Sequence, residues 1–221
     1  KESWKAHDAY EIVLRTQATS RGKRIFKNKP VLKRKFNPPD DDFPFGSLDK
    51  HKYRLTIAAY TKTLTEGIDY KEKHAGTVRW NAIKVILAIA VKEDYDIILL
   101  DIKTFFLYGK FTDEEVYMEL PERWAENDES PPEYIMRLKS SVYGWPAAPN
   151  LAQYELNQQL ISEKEMKPTR ADDCVFVSTD KSTGYVACGT HVDDILTAGD
   201  PAGLKKVRAC LEKKFKITVK E

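Results

Sequence analysis

The sequence predicts an α+β fold, and three stretches carry that prediction. Residues 185–196 place Asp193 and Asp194 between two short apolar runs, which indicates two strands joined by a tight turn. Residues 95–101 read Tyr-Asp-Ile-Ile-Leu-Leu-Asp, and such an unbroken aliphatic run is typical of a strand buried on both faces. Residues 81–92 are apolar almost all round, which predicts a central helix.

The other elements follow from local patterns. Residues 1–20 carry apolar side chains near helical spacing, which predicts an amphipathic helix. Two strands are expected at about 24–28 and 30–36, and Pro30 restricts the second to a sheet edge. Residues 37–47 are rich in Pro and Asp and predict a loop. Alternating or helically spaced apolar positions predict further strands at 50–60, 116–120 and 134–138 and helices at 151–160 and 201–215.

Composition excludes several classes of protein. The 221 residues are 42% hydrophobic and 32% charged, as in a globular chain rather than a disordered one. No apolar run approaches the roughly 18 residues of a membrane span. The cysteines are few, odd in number and widely spaced, which indicates buried thiols in a reducing compartment rather than a disulfide framework: Cys174, Cys188 and Cys210.

The net charge of +2 is unevenly distributed along the chain. Residues 1–54 contain 14 Lys or Arg and 7 Asp or Glu, a net charge of +7, so the remainder carries −5. Eight basic residues and no acidic ones lie between Arg21 and Lys35. This asymmetry indicates a polyanionic partner for the first part, although a solvated charged face remains the alternative.

The carboxylates of Asp193 and Asp194 are candidate metal ligands. Two like charges in one turn repel, so they need a cation or a raised pKa, and oxygen-only ligands suit magnesium. Asp101 ends an apolar strand, where a carboxylate is costly unless it is paired or metal-bound. Convergence of the three would suit two metals about 4 Å apart, which clamp an in-line phosphoryl displacement. An ordinary Asp-rich turn is the alternative, because Asp favours turns.

Four motifs together resemble copia-type retrotransposon reverse transcriptases. They are the first catalytic motif, the segment that follows it, a Tyr-Gly turn motif and the double-aspartate box. All four occur in the family's order, and the resemblance runs from about Trp4 to Ile217. The segments that carry it are Asp101–Gly109, Glu115–Pro121, Arg137–Trp145 with Ala148-Pro149, and His191–Leu196.

The resemblance implies a right-hand polymerase fold in which an antiparallel palm sheet packs on helices. Fingers with the first palm helix would span 1–95, and the palm would span 96–221, with 111–150 partly in the fingers. The thumb, the primer-gripping hairpin and the ribonuclease H domain would be absent from this portion. The implied reaction is RNA-directed DNA synthesis on an RNA or DNA template with a primer and deoxynucleoside triphosphates, without a membrane.

The resemblance also assigns the catalytic centre. Asp101 and Asp193 would hold two Mg²⁺ ions, or Mn²⁺ in their place, while Asp194 would support them less directly. The backbone carbonyl of Ile102 is a further candidate ligand, since hard cations accept backbone oxygens. Phe106 would lie under the sugar of the incoming nucleotide and exclude a 2′-hydroxyl. Its alternative is a core role shared with Phe105.

Further site residues are assigned on the same basis. Arg54 would hold the triphosphate, since its planar fork pairs with phosphate oxygens, although an exposed strand charge is the alternative. The remaining nucleotide-binding candidates are Lys35, Thr104, Phe105, Tyr143 and Gly144. The candidates for binding template and primer are Lys33, Arg34, Trp145 and His191.

The sequence departs from the family pattern at two places. Trp145-Pro146-Ala147 and Asn150 replace two basic positions of the turn motif, and His191 replaces a tyrosine. An alternative function is therefore a retroelement remnant retained for nucleic-acid binding or protein contact. A metal-dependent nuclease is a third hypothesis. The resemblance implies an intracellular location, in a cytoplasmic virus-like particle or the nucleus, and a missing region or second subunit as a partner.

Overall fold

A computed structural model of the protein describes residues 1–59, 64–67, 70, 75–122, 124, 132–162, 166–178 and 184–220. The chain divides into two units, each built from two segments. The first unit combines Lys1–Lys71 with Phe111–Pro146, and the second combines Glu72–Lys110 with Ala147–Glu221.

Both units contain helices and strands. In chain order they are α1 (Glu2–Ala6), β1 (Tyr10–Leu14), α2 (Arg15–Thr19), β2 (Ile25–Phe26), β3 (Asn28–Phe36), β4 (Leu48–Ile57), α3 (Trp80–Glu93), β5 (Asp96–Ile102), a 3-10 turn (Phe105–Tyr108), β6 (Val116–Glu119), β7 (Tyr134–Leu138), α4 (Ala148–Ser162), β8 (Met166–Pro168), β9 (Val175–Ser178), β10 (Val186–His191), β11 (Asp194–Gly199), α5 (Pro201–Glu212) and β12 (Ile217–Lys220). This is the mixed α+β architecture that the sequence predicts.

The first unit contains a four-stranded sheet and a separate two-stranded ribbon. The sheet has the order β1-β7-β6-β2, and its buried centre includes Tyr117 and Ile135. The ribbon consists of β3 and β4, which pair antiparallel around the loop at 37–47. Pro30 lies opposite Leu55 in this ribbon, where the missing N–H of proline is tolerated because both strands are edges.

The second unit is a six-stranded antiparallel sheet with helices on both faces. Its strand order is β12-β5-β11-β10-β9-β8. One face packs against α4 and α5 in a core that includes Leu100, Phe176 and Ile195. On the other face α3 covers β10 and β11, with Ile86 and Ala90 buried against Ala187. The sheet therefore holds the β10–β11 turn and the C-terminal end of β5 side by side, at the same end of neighbouring strands.

The single amphipathic helix predicted for residues 1–20 is wrong. The structure has α1, β1 and α2 there. Asp8, between α1 and β1, has a left-handed backbone conformation with a φ of 46°, which does not continue a helix. β1 pairs with β7, whose residues lie more than a hundred positions further along the chain. This pairing across a long sequence separation overrides the local helical periodicity, because it packs the partly buried Val13 against the buried Ile135.

The helix and the strand predicted at residues 81–92 and 95–101 are present as α3 and β5. The burial of β5 on both faces holds only in part, and α3 is exposed on one side. In α3, Trp80 is 76% exposed and Val91 is 81% exposed, whereas Ile86 and Ala90 face the sheet. In β5, Ile97 is 44% exposed while Leu100 is fully buried. The reason is that α3 covers only part of its sheet face, over β10 and β11.

The three cysteines are buried free thiols, as the sequence predicts. Burial raises the pKa of Cys188 to about 12, so this thiol stays protonated in the core. Among the described residues, none of the helices has the length and apolar character that crossing a bilayer requires.

Candidate active site

Asp101 and the Asp193-Asp194 turn meet where β5 ends and the β10–β11 hairpin turns, at the ends of interior strands of the second unit's sheet. β5 and β11 run antiparallel, and their register places Asp101 opposite Asp194. The Ile102 N–H donates to the Asp193 carbonyl oxygen over 2.8 Å, which holds the turn against the end of β5. Opposed residues of neighbouring strands project to the same face, so the Asp101 and Asp194 carboxylates share the face on which α3 lies.

Two lysine ammonium groups bind these carboxylates. Lys103 Nζ donates to Asp101 Oδ2 over 2.6 Å, while Lys220 Nζ lies 3.1 Å from Asp101 Oδ1 and also pairs with Asp194. Burial alone raises the pKa of Asp101, but the hydrogen bonds from Lys103 and Lys220 outweigh it and the pKa is lowered. The hydrogen bond to Asp194 raises the pKa of Lys220. Asp101 and Asp194 are therefore arranged to share one cation.

The backbone on both sides of the carboxylates adopts an unfavourable conformation. Val192, at the tip of the β10–β11 turn, has a φ of 57°, and Thr104, after β5, has a φ of 54°. For residues with a branched Cβ this left-handed region costs about 1–2 kcal/mol each. Such strain persists where surrounding contacts fix it and is concentrated at functional sites.

A groove runs along this sheet face beside Asp194. Its volume is about 740 Å³, and its lining is mainly apolar, from Trp80 on α3 to Leu99 and Leu196 on the sheet. His191 lies at the same end, exposed and opposite Asp194 in the β10–β11 register. The structure thus places His191 beside Asp194.

Arg54, Tyr143 and Gly144 come together in the first unit. The Ile57 N–H donates to the Tyr143 carbonyl oxygen over 2.9 Å, which fixes the turn against β4. Gly144 has a φ of +91°, and a Cβ there would lie 2.3 Å from the Ile57 carbonyl oxygen. The Arg54 guanidinium carbon lies 5.1 Å from the centre of the Tyr143 ring. This distance is within the range of a cation–π contact. The turn therefore positions the Tyr143 ring against Arg54.

The β3–β4 ribbon separates its basic residues onto two faces. Lys33, Lys35 and Arg54 lie on one face, because Lys33 pairs with Lys52, Lys35 with Lys50 and Val31 with Arg54. Asp49 forms ion pairs with Lys35 and Lys50 on this face, each at 3.6 Å. Arg34 lies on the opposite face, opposite His51. The sequence prediction grouped Lys33 with Arg34, whereas strand alternation places them apart.

Three aromatic candidates lie in or against apolar cores. Phe105 is buried in the second unit's main core, and Phe106 is partly buried against the same cluster. Trp145 is buried in the first unit, with its ring 5.7 Å from that of Phe26 and 5.8 Å from that of Phe111. An indole enclosed in this way presents no face for stacking on a base.

Comparison with known proteins agrees with these motifs. The family model for reverse transcriptase (RNA-dependent DNA polymerase) matches residues 17–220, which is nearly the whole chain. The chain belongs to the reverse transcriptase family. Its relatives place it with the copia-type enzymes, as the sequence resemblance predicts. It is 30% identical over 215 residues to the retrovirus-related Pol polyprotein from transposon TNT 1-94 of Nicotiana tabacum.

Two further relatives are Pol polyproteins of mobile elements. The chain is 30% identical over 188 residues, 85% of its length, to that from transposon RE2 of Arabidopsis thaliana. It is 29% identical over 141 residues to the transposon Ty1-NL2 Gag-Pol polyprotein of Saccharomyces cerevisiae. The match to the TNT 1-94 protein covers 97% of this chain and only 15% of that relative. This reverse transcriptase chain therefore corresponds to a small portion of the polyproteins it resembles.

The carboxylates of this reverse transcriptase fit a divalent cation in donor chemistry. Asp101 and Asp194 already share the Lys220 ammonium, and carboxylate oxygens are the ligands that magnesium prefers. Within the described ranges, no three His, Cys, Asp or Glu side chains converge on one metal position. The sequence prediction paired Asp101 with Asp193, whereas the register places Asp194 opposite Asp101 and fixes Asp193 through its backbone.

Sequence reasoning missed Lys103 and Lys220. Lys103 could have been recognised, because it follows Asp101 by two residues and continues the same strand face. Lys220 had no local signal, since its contact with Asp101 depends on the pairing of β12 with β5 across more than a hundred residues. Only the tertiary structure shows that a cation from the last strand reaches both carboxylates.

Substituting Lys220 with Met should lower stability in a metal-free buffer at neutral pH, by less than about 1 kcal/mol because the Lys220 side chain is exposed and water screens its ion pairs. The Asp101 contribution is present above the ordinary carboxylate pKa and is lost as pH falls through the lowered folded value. The Lys220 contribution is present below the ordinary lysine pKa and is lost as pH rises through the raised folded value. Urea denaturation against pH measures both limits.

A matched control for this experiment is Lys205→Met, which removes an exposed lysine of α5. This variant should match the wild-type stability at each pH. Equal stability of Lys220→Met and Lys205→Met from pH 2 to 11 would show that Lys220 does not hold the carboxylates in solution.

Proposed function

We propose that this chain is the fingers and palm portion of an RNA-directed DNA polymerase. The reaction is template-directed addition of a deoxynucleotide to a primer 3′-hydroxyl, with release of pyrophosphate. The observation that carries the proposal is the register that places Asp101 opposite Asp194 beside the Asp193 turn. The second unit, which contains this sheet, is the proposed palm, and the first unit, which contains the β3–β4 ribbon, is the proposed fingers.

Asp101, Asp193 and Asp194 are the proposed ligands of two magnesium ions, with the Ile102 carbonyl as a further donor. When bound, the ions lower the pKa of the primer hydroxyl and neutralise charge on the triphosphate. The protein itself holds the three carboxylates together at the ends of neighbouring strands. The Ile102–Asp193 hydrogen bond and the strained Val192 turn fix that position.

Lys103 and Lys220 contribute a positive charge to the same place. With these ammonium groups on Asp101, the pKa of this carboxyl is lowered, which favours the ionised form that binds a metal. Both lysine side chains are long and flexible, so they can withdraw when a divalent cation takes the carboxylate oxygens.

Arg54 and Lys35 are the proposed triphosphate contacts. Both lie on the ribbon face that also carries Lys33. The contact with the Tyr143 ring restricts the Arg54 guanidinium, and a planar fork pairs with two phosphate oxygens at once. Gly144 lets the turn approach β4 closely enough for this contact. Phe106, with the strained Thr104 before it, is the proposed steric check on a 2′-hydroxyl, and Phe105 has a packing role.

The proposed contacts with template and primer are Lys33, Arg34 and His191. Lys33 and Arg34 lie on the ribbon, and His191 lies beside Asp194. Trp145 is retained in the proposal only as a packing residue that supports the Tyr143 turn, since Phe26 and Phe111 enclose its ring.

A primer-extension assay tests the function directly. The protein is mixed with a primed RNA template, deoxynucleotides and either Mg²⁺ or Mn²⁺. Extension that requires both template and metal supports the polymerase, and loss of product on adding chelator is expected. Tight binding of primer–template without extension would instead support a nucleic-acid-binding remnant, and cleavage of the labelled strand without nucleotides would support a nuclease.

Replacing Arg54 with Lys should raise the KM for deoxynucleotide about tenfold while changing kcat little. The compact charge of a lysine ammonium cannot reproduce the bidentate pairing of a guanidinium or its contact with the Tyr143 ring. Steady-state kinetics over nucleotide concentration measures this change. Arg24→Lys is the matched control, because Arg24 also lies over an aromatic ring, that of Phe26 at 5.0 Å, and should leave KM unaltered.

A further inference from the structure

A polar side chain lies in the otherwise apolar core between α4 and the second unit's sheet. Gln153 of α4 is only 4% exposed, and Ala152 and Leu156 on the same helix belong to the core that contains Leu100 and Ile195. A buried amide is costly unless hydrogen bonds replace those it makes with water. The partners of the Gln153 amide therefore indicate what this residue does.

The Gln153 amide binds the strand that leads into the aspartate turn. Its Nε2 donates to Thr190 Oγ1 over 3.1 Å and to Asn157 Oδ1 over 2.8 Å. Thr190 is fully buried on β10, shortly before Asp193 in the chain. The Thr190 hydroxyl donates in turn to the Cys174 carbonyl oxygen over 3.3 Å. A chain of hydrogen bonds therefore joins α4 to β10 and to the residue that precedes β9.

The contacts at Thr190 support a strained turn. The Thr190 N–H donates to the Cys174 carbonyl oxygen over 2.9 Å, and Val192, two residues on, has a φ of 57°. Such strain persists only where surrounding contacts fix the backbone. The Ile102–Asp193 hydrogen bond fixes the turn from β5, and the contacts at Thr190 fix its β10 arm.

α4 supports both sides of the candidate site. Ala152 and Leu156 pack in the core that contains Phe105, which begins the 3-10 turn after Asp101. Gln153, between them in the sequence, binds the arm of the aspartate turn. One helix thus holds the segment after Asp101 through apolar contacts and the β10 arm through a hydrogen bond.

We propose that Gln153 is a positioning residue, which fixes the β10 arm so that Asp193 and Asp194 lie correctly beside Asp101. It is not a metal ligand, because it packs on the α4 face of the sheet, whereas the Asp101 and Asp194 carboxylates share the α3 face. Displacement of a reacting group by about 1 Å can lower a rate by about a hundredfold, so such a support acts on kcat. The inference rests on the proposed function, but its effect on the turn needs neither metal nor nucleotide.

Steady-state primer extension measures the effect on the reaction. Gln153→Leu, Thr190→Val and the double variant all remove the hydrogen bond and should each lower kcat about tenfold, with the KM for deoxynucleotide within about twofold of the wild type. The losses should be equal in the single and double variants, because the two residues act through one hydrogen bond. Thr190→Ser keeps the hydroxyl and should retain the wild-type kcat.

Stability separates positioning from packing. Each single variant removes one side of a buried hydrogen bond and should lower the urea midpoint, whereas the double variant replaces both groups with apolar ones and should recover most of it. Its kcat should nevertheless stay low. Gln159→Leu is the matched control, because Gln159 lies on the same helix but donates to the Cys210 carbonyl oxygen of α5 over 2.7 Å. This control should lower the midpoint and leave kcat unchanged.

Hydrogen exchange reports on the turn without any reaction. In metal-free protein, amide exchange of the segment 188–195, followed by mass spectrometry, should be faster in Gln153→Leu and in the double variant than in the wild type. Gln159→Leu should exchange there at the wild-type rate. Absence of primer extension by the wild type would contradict the proposed function and leave this measurement readable by itself.

Three results would overturn the proposal. One is recovery of kcat together with stability in the double variant, which would show that the hydrogen bond serves folding alone. Another is multiplication of the two single losses of kcat in the double variant, which would show that Gln153 and Thr190 act independently. The third is wild-type exchange of the segment 188–195 in Gln153→Leu.

Discussion

Asp101→Asn is expected to abolish primer extension, with a loss of about a thousandfold or more. The Asp101 carboxylate lies opposite Asp194 in the β5–β11 register and already binds the Lys103 and Lys220 ammonium groups. An amide has the same shape but carries no charge, so it holds a divalent cation weakly. Loss of about 4 kcal/mol of electrostatic stabilisation in the transition state corresponds to this factor.

The control for Asp101→Asn lies on the same strand. Asp96→Asn makes the identical change at the other end of β5, opposite Gly199, and should leave extension unchanged. Asp101→Asn should still bind primer–template within a few-fold of the wild type, because the basic ribbon belongs to the other unit. Extension by Asp101→Asn at the wild-type rate would refute the catalytic assignment. Asp193→Asn is expected to give the same loss, since its backbone is fixed beside Ile102.

Gly144→Ala is expected to destabilise the first unit by about 3 kcal/mol. The residue has a φ of +91°, where any side chain is strained, and a Cβ would lie 2.3 Å from the Ile57 carbonyl oxygen. Relief requires the turn to move away from β4, which separates the Tyr143 ring from Arg54. Urea denaturation measures the stability, and the KM for deoxynucleotide should rise in the same variant.

Gly22→Ala is the matched control for this substitution. Gly22 also has a positive φ, +62°, but nothing lies within 4 Å of the added Cβ. Its cost is therefore the backbone strain alone, about 1 kcal/mol. Equal stability of Gly22→Ala and Gly144→Ala would show that the approach to Ile57 does not constrain the turn.

Local patterns were sufficient for the elements that present the carboxylates. The apolar run before Asp101 predicted β5, and Asp193-Asp194 between apolar runs predicted the β10–β11 hairpin. Both patterns lie within about ten residues, so turn chemistry and side-chain alternation specify them directly. The same alternation places Lys33 and Arg34 on opposite faces of β3, which the sequence prediction did not take into account.

Elements whose partners are distant in sequence were predicted poorly. Residues 10–14 form a strand because β7 pairs with them, and no local pattern contains that partner. The exposed face of α3, with Trp80 and Val91, could not be predicted either, since apolar residues on all sides normally indicate full burial.

The sequence by itself determined the family, the α+β character and the carboxylates that the chain presents, because motifs and periodicity are local properties. Only the tertiary structure decided that Asp194 lies opposite Asp101, that Lys220 binds both, and that Arg54 lies over the Tyr143 ring. Apart from Lys220 with Asp194, which are 26 positions apart, these contacts join residues about ninety or more positions apart. Their geometry depends on strand register and packing, which neighbouring residues in the chain do not specify.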